Sequence, residues 1–500
     1  MTITLFDHQK EALAWMRRRE KNPLVLSNGD CVRGGLLCDE MGLGKTYTTM
    51  ALIADGEAGD QNLIVAPLPL LDNWVAAARS FGIEPYVFDS KRSAWMAAKP
   101  VKAGQVEIYV TNYHSVMNCG LERGPEDQPW TRVVCDEAHN LRTIKGAFAQ
   151  SLRAVQAERR WCLTATPIVN SENDLASLFC FLGMLAGQAK KGWRSWMEPL
   201  IGELCFGRTC DQLREKLNAV PPPPIYEPHY LDFRTREEAA FYRVIQQDVS
   251  QFMSKYKRFS LSAMKKIAML LRLRQVSVHP QVYINAMKAK EKKPMTDWRG
   301  SSTKFDALAD AVRADKEPSS YLIFCQFHDE MTLLEKHLRE QGLFNEIFQF
   351  HGGMSAAERS AVIVEAKKAA TVKEHVAGKK PAAMLIQIHS GGVGLNLQEF
   401  DCCVFMSSWW TSALMDQAVA RASRIGRKGA VRVIHLLLNE EKAKINIDTL
   451  MGAKVDFKRE LHNWFVEKMD SGSCRTPLVA APAAAEPKKI KLVLKRKVAP

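Results

Sequence analysis

No CxxC pair occurs in the sequence, and no apolar run approaches the roughly 18 residues that a helical membrane span requires. The first absence removes the paired spacing of a zinc module; Cys205 with Cys210, and Cys402 beside Cys403, do not supply it, so no structural zinc is expected. The second predicts no helical membrane span. The amino-terminal stretch breaks its apolar positions with Asp7, His8, Gln9, Lys10 and Glu11, so no secretory leader is expected either. The 12 cysteines sit in apolar segments such as VVCDE and LIFCQF, the pattern of reduced core thiols, which predicts an intracellular location. Acidic residues are also short: 55 Asp and Glu face 69 Lys and Arg, a net charge of +14. The lysine-rich stretch after Glu486 accounts for only part of that excess, so the body of the chain itself favours a polyanionic partner.

What is present is an α/β pattern, twice over. In residues 1–220 the short apolar runs GGLLCDE, NLIVAPL, VEIYVTNY, RVVCDEA and RWCLTAT alternate with helical stretches, as buried parallel strands do. Pro221 to Pro224 exclude helix and central strand and predict an extended spacer. A helical region follows, broken at the His279-Pro280 pair, and together these form a segment over 221–300. A second series, SYLIFCQF, NEIFQFHG, AAMLIQIHSGGVGLN, CCVFMSS and VRVIHLLL, fills 301–470, and the lysine-rich stretch 366–381 within it reads as a solvated helix and turn. Residues 471–500 are Ala, Pro and Lys biased and predict disorder.

The chemistry concentrates at strand ends. DEMGLGKT follows GGLLC and precedes a helical run, so Gly42 and Gly44 can fold the backbone with its N–H groups towards a phosphate. Lys45 supplies a point charge for the β- and γ-phosphates, and Thr46 a hydroxyl for Mg²⁺; Asp39 stands where the strict phosphate-loop pattern has glycine. RVVCDEAH ends a later strand with Asp136 and Glu137, one to hold the Mg²⁺ water shell and one to orient or deprotonate the attacking water. His139 is either a coupling residue or a surface group. DQAVARASRIGRK reads as a helix with Arg421 and Arg424 on one face, able to neutralise charge on a transferring γ-phosphate or simply solvated.

In order along the chain, DEMGLGKT, DEAH, LTATP, LLRLRQVSVHP, STKFDAL, FQFHGGMS, HSGGVGLNLQ and SSWWTSALMDQAVARASRIGRKGAV resemble the blocks of the Swi/Snf family of superfamily 2 ATPases, from Phe6 to about Leu438. The compact form is similar to that of the Swi/Snf-type ATPases of large DNA viruses. The resemblance implies two tandem RecA-like P-loop lobes with a helical insertion, ATP between the lobes and double-stranded DNA across both. On that reading Gln9 contacts adenine, although a polar residue on an amphipathic helix is the plainer alternative. Asp39, Gly394 and Gln417 join the nucleotide cleft. Trp74, Thr111, Asn112 and Tyr113 in the first lobe, and His351, Gly352, Ser390 and Gly391 in the second, contact the DNA backbone; small and aromatic residues at strand ends also fill cores. Thr164 and Thr166 of LTATP offer hydroxyl contacts, Trp409 and Trp410 read as packing anchors, and Arg427 stands where the family has glutamine. No RING signature accompanies the match.

The expected function is therefore an ATP- and Mg²⁺-dependent translocase on double-stranded DNA, independent of base sequence, acting alone or in a transcription or repair complex. A viral transcript-release ATPase and a DEAH-type RNA helicase are the alternatives. The basic tail reads equally as a nuclear-import signal, a DNA tether or a solubilising end, which places the protein in the nucleus or, if viral, in a viral factory or virion.

Overall fold

The computed structural model describes residues 3–470 except 27–28, 30, 103, 126, 185–192, 216, 218–219, 256–262, 292–293, 316–318, 372–380, 389–394, 410–411 and 440–446. The chain divides into two units, one of Met1–Leu217 with the chain from Lys458, the other of Asn218–Phe457. No helix among the described residues is long and apolar enough to cross a membrane.

The first unit is built on an eight-stranded sheet, in the order Cys205–Phe206, Gly34–Leu37, Ala157–Leu163, Trp130–Asp136, Gln61–Ala66, Glu107–Asn112, Tyr86–Asp89, Ala94–Ala97. All pairings are parallel except the last, an antiparallel hairpin. The five apolar runs of the first half form its central strands. Four of them are buried along nearly their whole length and Ala157–Leu163 over its last three residues, because helices on both faces of a parallel sheet leave little room for polar residues. The core gathers Leu36, Leu63, Val133, Trp130 and Phe179, and it also takes in Leu461, Phe465 and Met469. Those three belong to the helix Ile447–Asp470, which was expected within the segment 301–470; its later turns group with the first unit because their apolar face is buried there.

The second unit carries a six-stranded, wholly parallel sheet in the order Ile225–Leu231, Arg432–Leu438, Cys402–Phe405, Tyr321–Cys325, Ala382–Gln387, Glu346–Phe350. Strand alternation sends Ile323, Leu385, Val404 and Ile434 to one apolar cluster and Leu322, Met384, Cys403 and Val433 to another, so both faces of the sheet are covered. The spacer prolines lead into an edge strand, Ile225–Leu231, that itself contains Pro228, a residue tolerated where no further strand needs its missing N–H. The helical region resolves into Arg236–Lys255, Ala263–Val278 and Pro280–Glu291; Pro280 ends one helix and begins the next, at a position where its absent donor costs nothing. Segment 221–300 thus belongs to the second unit. Tyr242, Leu273 and Ile284 pack with Ile447 and Met451, and buried Glu238 accepts from both the amide and the hydroxyl of Thr303. Of the stretch 366–381, residues 366–371 end the helix Ala356–Thr371 and 372–380 lie outside the described residues, as do Trp410 and the tail 471–500.

Candidate active site

The loop between the strand Gly34–Leu37 and the helix Lys45–Ala54 turns on two left-handed glycines, Gly42 at φ 87° and Gly44 at φ 81°, a backbone that side chains with a Cβ rarely adopt. Gly44 caps the helix, whose first amides have no partner within it and whose dipole favours an anion. The first helix, Asp7–Lys21, braces this loop. His8 Nε2 lies 2.9 Å from Leu43 O, and Gln9 Nε2 donates to Gly44 O at 3.2 Å. Gln9, read from sequence as an adenine contact, is seen here holding the glycine loop. Lys45 Nζ donates to Asp39 O at 2.7 Å and Glu40 O at 3.4 Å, and Thr46 is half-buried beside it.

Two strands across, Asp136 pairs in register with Leu163, which in turn pairs with Leu37. The acidic pair and the start of the loop thus stand at the same level of the sheet, about 10 Å apart at ordinary strand spacing. Asp136 is buried: Oδ2 accepts from Trp74 Nε1 at 2.8 Å, Oδ1 from the Glu137 amide at 2.9 Å, and its carbonyl from Tyr113 Oη at 2.7 Å. Burial pushes its pKa up to about 6, helped by the Glu137 charge and opposed by Trp74 and Lys45. Glu137 sits at φ 49°, ψ 50°, a strained conformation for a non-glycine residue and one that concentrates at functional sites. Its Oε2 lies 3.4 Å from His139 Nδ1, and Thr164 Oγ1 lies 3.5 Å from the same nitrogen. The DEAH and LTATP motifs thus meet at one imidazole, while Thr164 Oγ1 accepts from the Thr166 amide.

Several expectations change on this geometry. Trp74, at 1% exposure, and the buried Tyr113 are no DNA contacts as they stand; they hold Asp136 by its side chain and its carbonyl. Thr111 is buried within its strand, and Asn112 caps the helix Tyr113–Asn118 by accepting from the Ser115 amide. Asp39 does not line a nucleotide surface: it is fully buried and paired with Arg208, whose Nε and Nη2 each reach a carboxylate oxygen at 3.1 Å. Arg208 escaped sequence reasoning because one arginine after one glycine in CFGRTC carries no pattern.

In the second unit the helix Ser412–Val419 stops short of both arginines, which occupy the turns beyond it instead of one helical face. Arg421 is buried, with its carbonyl accepting from the Leu397 amide at 2.9 Å. Arg424 donates Nη2 to Leu395 O at 2.8 Å and Nε to Ala420 O at 3.3 Å, and burial depresses its pKa. Arg427 ties the segment down through Gln398 O, Phe400 O and the Asp401 carboxylate. Gln417 is buried within the helix, and Trp409 packs under the Arg274 guanidinium at 4.4 Å. His351 lies against His328 with the rings tilted at 60° and their centroids 4.7 Å apart, and the exposed Gly352 donates its amide to Gln387 Oε1 at 3.3 Å. Ser390, Gly391 and Gly394 lie outside the described residues.

A largely parallel sheet with a glycine loop, its lysine at a helix start and an acidic pair at the end of the strand two places across defines a RecA-like P-loop unit. The chain belongs to the SNF2-related family of helicase-like ATPases: the SNF2-related domain matches residues 8–282, and the helicase conserved C-terminal domain residues 303–426. Similar proteins include the probable global transactivator of Orgyia pseudotsugata multicapsid polyhedrosis virus, 27% identical over 475 residues that cover 91% of this chain and 90% of that one. The putative ATP-dependent helicase/translocase YwqA of Bacillus subtilis is 25% identical, over 93% of this chain and 50% of its own. The chain thus spans nearly all of the viral relative but about half of the bacterial one. A solved Sulfolobus solfataricus SWI2/SNF2 ATPase core in complex with dsDNA is similar at 24% identity, covering 94% of each chain with a TM-score of 0.39.

Proposed function

We propose that the protein is an ATP-driven translocase on double-stranded DNA, tracking the phosphate backbone without reading base sequence and displacing proteins bound to it. The observation that carries the reading is the alignment of the Gly42–Lys45 loop with Asp136 and Glu137 at one level of a parallel sheet. The donor set fits a magnesium nucleotide: loop amides and Lys45 for the phosphates, the Thr46 hydroxyl and the Asp136 carboxylate for the ion. When bound, Mg²⁺ supplies charge neutralisation on the phosphates. Glu137 orients and deprotonates the attacking water, held ready by its strained backbone and by His139. Arg421 and Arg424 are the candidate source of further positive charge for the γ-phosphate.

The net charge of +14 and the family of the chain support a polyanionic track, and phosphate contacts alone imply affinity that falls with salt whatever the sequence. The test is displacement of a third strand from a triplex, with a forked duplex as comparison. ATP-dependent triplex displacement with little strand separation is expected; robust unwinding of the fork without triplex displacement would refute the reading. Stimulation of ATPase by RNA over duplex DNA would move the protein to the RNA-helicase alternative, and ATP-dependent release of transcripts from RNA polymerase to the transcript-release one.

A further inference from the structure

Arg208 lies in none of the motifs, yet it is built into the base of the phosphate loop. The segment Phe206–Cys210 runs against Cys38–Glu40: the Cys38 amide donates to Phe206 O at 2.6 Å, the Glu40 amide to Arg208 O at 2.8 Å, and the Cys210 amide to the Glu40 carboxylate. A Cβ on Gly207 would meet backbone atoms of Cys38 at 2.5 and 2.6 Å, so this approach requires glycine. Within it Arg208, only 6% exposed, grips both oxygens of Asp39 and sends Nη1 to Glu11 of the first helix at 3.0 Å. Its guanidinium also lies over the Phe206 ring, 4.7 Å from the centroid. The residue it holds, Asp39, is the one whose carbonyl receives Lys45 Nζ at 2.7 Å.

Relative to an apolar pair of similar volume, a buried ion pair is a poor source of stability, because desolvating two charges offsets their attraction. What a bidentate arginine–carboxylate pair supplies is geometry. Here that geometry fixes Asp39, the second residue of the loop, from the side chain, while the same residue's carbonyl holds the loop's lysine.

We propose that Arg208 is a positioning residue for the phosphate loop, acting through Asp39 to set where the Lys45 ammonium meets the triphosphate. This rests on the reading of that loop as the nucleotide site. Arg208 lies shortly before Leu217, where the amino-terminal run of the first unit ends, so the segment leading out of the unit is itself what holds the loop.

The test uses the full chain as wild type, Arg208→Lys, and the double variant Asp39→Leu with Arg208→Met, measuring equilibrium binding of the fluorescent analogue mant-ATP with Mg²⁺ and, in parallel, the thermal midpoint. The double variant replaces both partners with apolar groups and so removes the clamp without stranding a buried charge. Small misplacements of binding groups are costly, so its affinity is expected to fall at least about tenfold with the thermal midpoint near that of the wild type. Arg208→Lys, which keeps the charge but loses the two-pronged geometry, is expected to bind with intermediate affinity and provides a second reading should the double variant fold poorly. Affinity unchanged in both variants would overturn the proposal and leave a purely structural pair. A wild type that binds mant-ATP without acceleration of turnover by duplex DNA would sink the translocase reading instead, and the binding ratios would still decide the role of Arg208.

Discussion

Asp136 is held in a conflict that the fold does not relieve: it is buried, next to another carboxylate and, on the proposed function, needed in its ionised form. Its pKa, raised to about 6, means that folding favours the protonated acid, so this contribution to stability is fully present below the ordinary value of 3.8 and lost as pH rises through about 6. Function runs the other way. ATPase activity is expected to fall as pH drops through about 6, and Trp74→Phe, which deletes the indole N–H donated to Asp136, is expected to move that acidic limb to higher pH. An acidic limb unmoved in Trp74→Phe would show that the indole does not tune the carboxylate. Glu137→Gln keeps the shape of the side chain but not its basicity; kcat is expected to drop by about 10²–10⁴ with the KM for ATP little changed. Lys45, Asp136 and Glu137 are legible in the sequence as candidates because the glycine loop and the acidic pair each follow an apolar run, whereas the hydrogen bonds of Trp74 and Tyr113 to Asp136 are not. A tryptophan or tyrosine in a sequence is equally a surface for a ligand or a packed ring with a polar handle, and only the fold shows that both handles point at Asp136.

At the level of elements, the runs that became central strands were visible because a parallel strand covered on both faces must be apolar at nearly every position. The elements that were missed lie at sheet edges. Tyr86–Asp89 and Ala94–Ala97 are only partly buried, Cys205–Phe206 is two residues long, and Ile225–Leu231 carries Pro228 and exposes Tyr226 and Tyr230, so none presents an unbroken apolar run. The reading of Arg421 and Arg424 as neighbours on one helix failed for a local reason: the helix ends at Val419, and the Leu397 amide bonds the Arg421 carbonyl where a further helical turn would have used it. The short strand Cys205–Phe206 nonetheless carries mechanical weight, since it delivers Gly207 against the Cys38 backbone. Gly207→Ala is expected to destabilise the first unit by about 1–3 kcal/mol, because the added methyl meets backbone and not a movable side-chain tip. A thermal midpoint equal to that of the wild type would contradict this close approach.

For the molecule as a whole, the SNF2-related and helicase C-terminal matches make the chain a helicase-like ATPase, and the proposed function adds a phosphate track, which the basic balance of charge favours. If contacts to phosphate dominate, binding to duplexes of unrelated sequence should weaken together as salt rises, by at least about tenfold between 50 and 200 mM. A strong preference for one sequence at constant salt would point to base readout instead. The most direct test of the central claim is the steady-state ATPase rate with duplex DNA, single-stranded DNA and RNA, for wild type and Glu137→Gln side by side. The account predicts that duplex DNA accelerates the wild type most and that Glu137→Gln stays near its unstimulated rate with all three. Acceleration by RNA above duplex DNA, or turnover by Glu137→Gln at the wild-type rate, would contradict it.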